Sequence, residues 1–130
     1  MGQKKPPLPT ESELEILSVL WQQGPSTVRD IHETMVKDKK VGLTTVLKFV
    51  QIMVTKGLVV RDDTRRPQVF RPAQSEEDTQ KQLTRNLMDR AFRGSAHSLV
   101  MQALRAKDAT PEELQAIRQL LDSFKETHHD

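Results

Sequence analysis

The chain has 130 residues, 29% charged and 35% hydrophobic, with a formal net charge of +2. That is room for one domain or two small ones, and the composition is that of a globular protein rather than a disordered chain. The absence of cysteine excludes disulfides, zinc fingers, iron–sulfur clusters and a thiol redox switch, and no apolar run reaches the ~18 residues of a membrane span.

The first segment, "MGQKKPPLPT", has basic residues but no apolar core of a secretory signal. Pro6 stands where a myristoylation signal wants Ser or Thr. A cytoplasmic protein without direct membrane binding is the expectation. The charge is unevenly spread. Residues 1–74 carry 12 basic and 8 acidic side chains, and residues 75–130 carry 8 and 10. A basic half joined to an acidic half points to a polyanion as partner of the first.

Residues 1–9, rich in proline, read as a flexible arm. Thr10 and Glu13 make a T-x-x-E capping box. The helix it opens, about 11–22, puts Leu14, Leu17 and Trp21 on one face with Ile16 and Leu20 alongside. Gly24 and Pro25 end it. Thr27 and Asp30 cap a second helix, about 28–37, with Val28, Ile31 and Met35 facing inward. After the charged turn "KDKKVG", "LTTVLKFVQIMVTK" reads as a third helix, about 43–56, closed by Gly57. Leu58, Val59 and Val60 form a strand, "RDDTRRP" a charged hairpin tip, and "QVFRP" the returning strand.

Helix, helix, longer helix, hairpin is the winged helix-turn-helix order, assigned to residues 10–74. The apolar arc of the third helix supplies the inner wall of a three-sided core. From Ser75 the pattern is helical: a segment with Leu83, Leu87, Met88 and Phe92, a shorter one with Leu99 and Leu104, and a last one opened by Thr110, Pro111 and Glu113. On the last, Leu114, Ile117, Leu121 and Phe124 repeat at a three–four–three spacing. This second region, residues 75–127, is expected to be a helical dimerisation domain, with residues 128–130 as a tail. The fold class is mainly α with a small β-hairpin.

The third helix carries a thin polar stripe, Thr44, Lys48, Gln51 and Thr55, with Thr45 at its shoulder. A solvated face is the ordinary reading of such a stripe. Three observations favour double-stranded DNA. The stripe lies on the helix that a winged helix inserts in the major groove. Thr and Gln can contact bases or phosphate without adding charge. The helix holds no acidic residue, which would repel phosphate. Thr44, Thr45, Lys48 and Gln51 are the expected DNA-binding residues, with Arg65 and Arg66 at the hairpin tip on phosphate. Lys39 and Lys40 suit either a phosphate contact or a solvated turn.

The second region has few large apolar side chains and is too small to stabilise itself. Pairing with a second copy would cover Leu99, Leu104, Leu114, Ile117, Leu121 and Phe124. It would also supply the two-fold symmetry that a palindromic site needs. His32 and His97 lie on separate helices. His128, His129 and Asp130 end the chain and read as tail, so no metal or cofactor is expected. No nucleophile–base pair or phosphate loop supports an enzyme. A winged-helix module that docks on a protein and pairs through its helical tail is the alternative.

Several segments in combination resemble the penicillinase-repressor family of bacterial regulators (BlaI/MecI/CopY-like). They are "TESELEILSVLWQQGPSTVRDIHETM", "LTTVLKFVQIMVTKGLV", "RPQVFRP", "NLMDRAFRGSAHSLVMQAL" and "TPEELQAIRQLLD". The resemblance implies a homodimeric repressor that binds a palindromic operator, blocks transcription of its own operon and contacts DNA through Thr44 and Thr45. Where the family often has an aromatic residue, this chain has Leu43. Copper-responsive members carry paired cysteines, absent here. The resemblance also implies a membrane-bound metallopeptidase sensor as a partner. The bond matching the family's proteolytic site is Gln102–Ala103, which lacks the family's aromatic residue.

Overall fold

The computed structural model describes residues 6–128. Residues 1–5 of the expected arm, and His129 and Asp130 of the expected tail, lie outside them. In chain order the described residues form α1 (Glu11–Gln23), α2 (Val28–Met35), α3 (Leu43–Lys56), β1 (Val59–Asp62), β2 (Val69–Pro72), α4 (Glu76–Ala91), α5 (Ala96–Ala106) and α6 (Pro111–His128). This is the mainly α class with a β-hairpin that the sequence implies, with a winged helix first. The chain divides into two compact units, residues 1–84 and 85–130, and the division falls within α4.

In the first unit, α1 starts at a complete capping box. The Glu13 amide donates to Thr10 Oγ1 at 3.3 Å and the Thr10 amide donates to Glu13 Oε1 at 3.0 Å. Its buried side chains are Glu13, Ile16, Leu17 and Leu20, the i, i+3, i+4, i+7 set of one helix face. This face is rotated from the expected one, because Leu14 and Trp21 are only half-buried. Two polar groups account for the rotation. Glu13 tolerates burial because Lys56 Nζ lies 3.1 and 2.8 Å from its two carboxylate oxygens. Trp21 stays at the core's edge, where its indole N–H donates to the Gln74 carbonyl at 3.1 Å.

Gly24, at φ +85°, takes the chain out of α1. Ser26 then pairs by backbone with Phe70 of β2, at 3.0 and 2.8 Å. The next residue, Thr27, caps α2 with Asp30 as its reciprocal partner. Ile31 and Met35 enter the core and Val28 is half-buried. The helix stops at Met35, short of the expected residue 37, and turns carry the chain through Lys39. Val36 is exposed, so continuing the helix would bring no further burial.

Helix α3 buries Val46, Val50 and Met53 against α1 and α2. Its apolar arc is therefore not all inner wall, as the sequence suggested: Leu43, Leu47 and Ile52 are exposed. Gly57 closes the helix in the left-handed conformation, and the Leu58 amide still bonds back to Met53. That cap delays the first strand by one residue. Arg61 and Asp62, expected in the tip, instead extend it, pairing with Phe70 and Val69. Leu58, Val59 and Phe70 close the core.

In the second unit, Gly94 at φ +76° ends the turn after α4. Ser95 caps α5 by accepting from the Ser98 amide at 3.0 Å, and Thr110 caps α6 by accepting from the Glu113 amide at 3.0 Å. No residue of this unit is buried among those described.

Candidate nucleic-acid interface

The outward side of α3 follows from its inward side. Val46, Val50 and Met53 fix one face in the core. At about 100° per residue, Thr44, Lys48 and Gln51 then point away from it. All three are exposed, as is Thr45. Thr55 is exposed too, but its hydroxyl donates to the Gln51 carbonyl of its own helix at 3.3 Å. Gly42 is the N-cap, so no side chain caps the first turn. Those amides sit at the positive end of the helix dipole.

The approach to α3 is held by His32. Its Nε2 lies 2.9 Å from the Val41 carbonyl. A carbonyl only accepts, so Nε2 carries the proton in this bond. His32 thereby ties α2 to the residue just before the α3 cap. Lys39, in the same turn, pairs with Glu15 of α1 at 3.1 Å, while Lys40 is exposed.

The hairpin tip uses its acids to build itself. Asp62 Oδ1 accepts from the Thr64 amide at 2.9 Å and from its hydroxyl at 2.6 Å. Those bonds hold the Asp62 carboxyl below its ordinary range. Asp63 Oδ1 meets Arg61 Nε at 3.0 Å and accepts from Gln68 Nε2 at 3.0 Å. Arg65 and Arg66 follow at the tip, both exposed.

Between α3 and the hairpin runs an open groove of about 550 Å³. Val28, Leu43, Leu47, Pro67 and Phe70 give it an apolar lining; Thr27, Arg29, Asp30, Thr44 and Gln68 add polar groups. Sequence reasoning missed this groove. Its signal was present: three buried positions do not need an apolar arc as wide as the one α3 carries.

In the second unit, Leu99 and Ile117 are half-buried, whereas Leu104, Leu114, Leu121 and Phe124 are exposed. Gln102 and Ala103 are exposed within α5. Among the described residues no cluster of His, Asp and Glu could hold a metal, and no helix is long and apolar enough to cross a membrane.

The family model described as penicillinase repressor matches residues 9–123. The chain belongs to the penicillinase repressor family. It is 22% identical over 122 residues to the penicillinase repressor of Bacillus licheniformis, covering 94% of this chain and 95% of the relative. It is 19% identical over 113 residues to the methicillin resistance regulatory protein MecI of Staphylococcus aureus, covering 87% and 92%. The equivalent figures for the MecI protein of Mammaliicoccus sciuri are 18%, 87% and 92%. The winged helix and the helices after it thus belong to a transcriptional repressor, a regulatory protein and not an enzyme.

Proposed function

We propose that this penicillinase-repressor family member acts as a homodimer on a palindromic operator, controlling its own operon from the cytoplasm. Each protomer lays α3 in a major groove, where Thr44, Thr45, Lys48 and Gln51 contact bases and backbone. Arg65 and Arg66 of the hairpin meet phosphates. The observation that carries this reading is the exposed face of α3: it has polar and basic groups, no acid, and an N-terminal turn without a side-chain cap. The apolar side chains left exposed on α5 and α6 support pairing through residues 75–127, with Leu99, Leu104, Leu114, Ile117, Leu121 and Phe124 in the interface. Two protomers present their recognition helices about one DNA turn apart.

Release follows when the dimer is lost. Cleavage at Gln102–Ala103, in response to a membrane-bound metallopeptidase sensor, is one route. The bond lies inside α5, so that helix must open locally before a protease can hold it extended. The test of the proposal is a gel-shift assay on duplexes spanning the promoter of its own operon. A discrete complex on one palindromic segment supports it. Equal binding to every duplex overturns it, and DNA affinity with no steep loss in salt favours a docking module instead.

A further inference from the structure

Leu43 and Leu47 stand one turn apart on α3 and are 37% and 41% exposed. The core does not require them, because Val46, Val50 and Met53 complete the buried face of the helix. At about 100° per residue, Leu47 lies about 40° from Gln51 and about 60° from Thr44 around the helix. The two leucines are thus the apolar shoulder of the polar stripe. They line the open groove together with Pro67 and Phe70 of the hairpin segment. Arg29, exposed at the start of α2, is on the same lining.

We propose that Leu43 and Leu47 read thymine, by packing against the C5-methyl groups of the operator in the major groove. The inference rests on the operator reading above and adds the base class that α3 selects. On its major-groove edge, thymine alone among the four bases carries an apolar group; cytosine presents an amino donor. An aliphatic side chain beside Thr44 and Gln51 can therefore sort thymine from cytosine while its polar neighbours bond to adjacent bases. The groove favours DNA as its occupant through its continuity with the exposed face of α3. Arg29, exposed on the lining, is complementary to phosphate, and Asp30 beside it is engaged by the Thr27 amide.

The test begins with the full-length protein and a random duplex library. The most enriched duplex serves as the probe, and each thymine in it is replaced singly by deoxyuridine, which removes only the methyl group. Fluorescence anisotropy of the wild-type protein should show one or two positions per half-site where affinity falls about fourfold, the worth of one buried methyl. Leu43→Ala and Leu47→Ala, exposed positions whose folding is checked by circular dichroism melting, should bind the thymine and uracil forms of those sites alike. A probe on which no deoxyuridine weakens the wild type overturns the inference. So do variants that keep the full discrimination, which would leave the groove for another occupant such as an apolar small molecule. A library that yields no enriched duplex sinks the operator reading itself, and this inference with it.

Discussion

Glu13 shows how one charged residue can organise a small core. Burial pushes its carboxyl toward the neutral form, but the Lys56 ammonium and the Thr10 amide outweigh that and hold it below the ordinary 4.5. It is 2% exposed and joins the start of α1 to the end of α3. Glu13→Gln removes the charge that meets Lys56, and chemical denaturation should show a loss of about 2 kcal/mol. The depressed folded-state pKa sets the sign of the pH dependence. The stabilisation is complete above the unfolded value of about 4.3 and disappears as pH falls through the lower folded value. Melting curves of the wild type should therefore drop as pH falls below about 4.3, and those of Glu13→Gln should drop less over that window. Gly57, at φ +82°, is a second such position. No atom stands within 4 Å of an added Cβ. Gly57→Ala should thus cost only the backbone strain, about 1 kcal/mol.

At the scale of elements, the capped helix starts and glycine stops were legible because they are local. Thr10 with Glu13 and Thr27 with Asp30 declare their helices within four residues, and Gly57 ends α3 where expected. What the sequence left open depended on partners distant along the chain. The buried face of α1 is set by Lys56, 43 residues away, and by the Gln74 carbonyl, 53 residues from Trp21. The length of β1 is set by its pairing with Phe70 and Val69, which no local pattern announces. The candidate site was legible as a stripe, since periodicity fixes which side of α3 faces out. The groove beside it was not, because it needs the position of the hairpin. The hairpin carries its own prediction. With Asp62 and Asp63 engaged inside the turn, Arg65 and Arg66 remain to contact phosphate. Arg65→Ala or Arg66→Ala should weaken binding to specific and scrambled duplexes alike. The slope of log affinity against log salt should flatten by about one for each phosphate no longer neutralised, hence by about two in a dimer.

For the whole molecule, the contrast between the units is in where apolar side chains end up. The first unit encloses a core drawn from three helices and a hairpin. The second leaves large side chains on its surface, with Leu121 at 59% and Phe124 at 54% exposure. A region of that kind gains its stability by burying those faces, and in the proposed function a second copy buries them. Leu121→Asp places a charge on that surface. Sedimentation velocity should then find a monomer where the wild type is a dimer, and operator affinity should fall at least tenfold as the second half-site is lost. The loss of operator affinity depends on the claim that α3 recognises a DNA sequence. The measurement that reaches it most directly is anisotropy titration of the wild type and of Thr44→Ala/Gln51→Ala, each against the enriched duplex and a scrambled one at the same salt. The wild type should prefer the enriched duplex by about a thousandfold or more. The double variant should lose at least tenfold on that duplex while binding the scrambled one unchanged. A wild type without preference, or a variant that loses equally on both duplexes, would contradict the account.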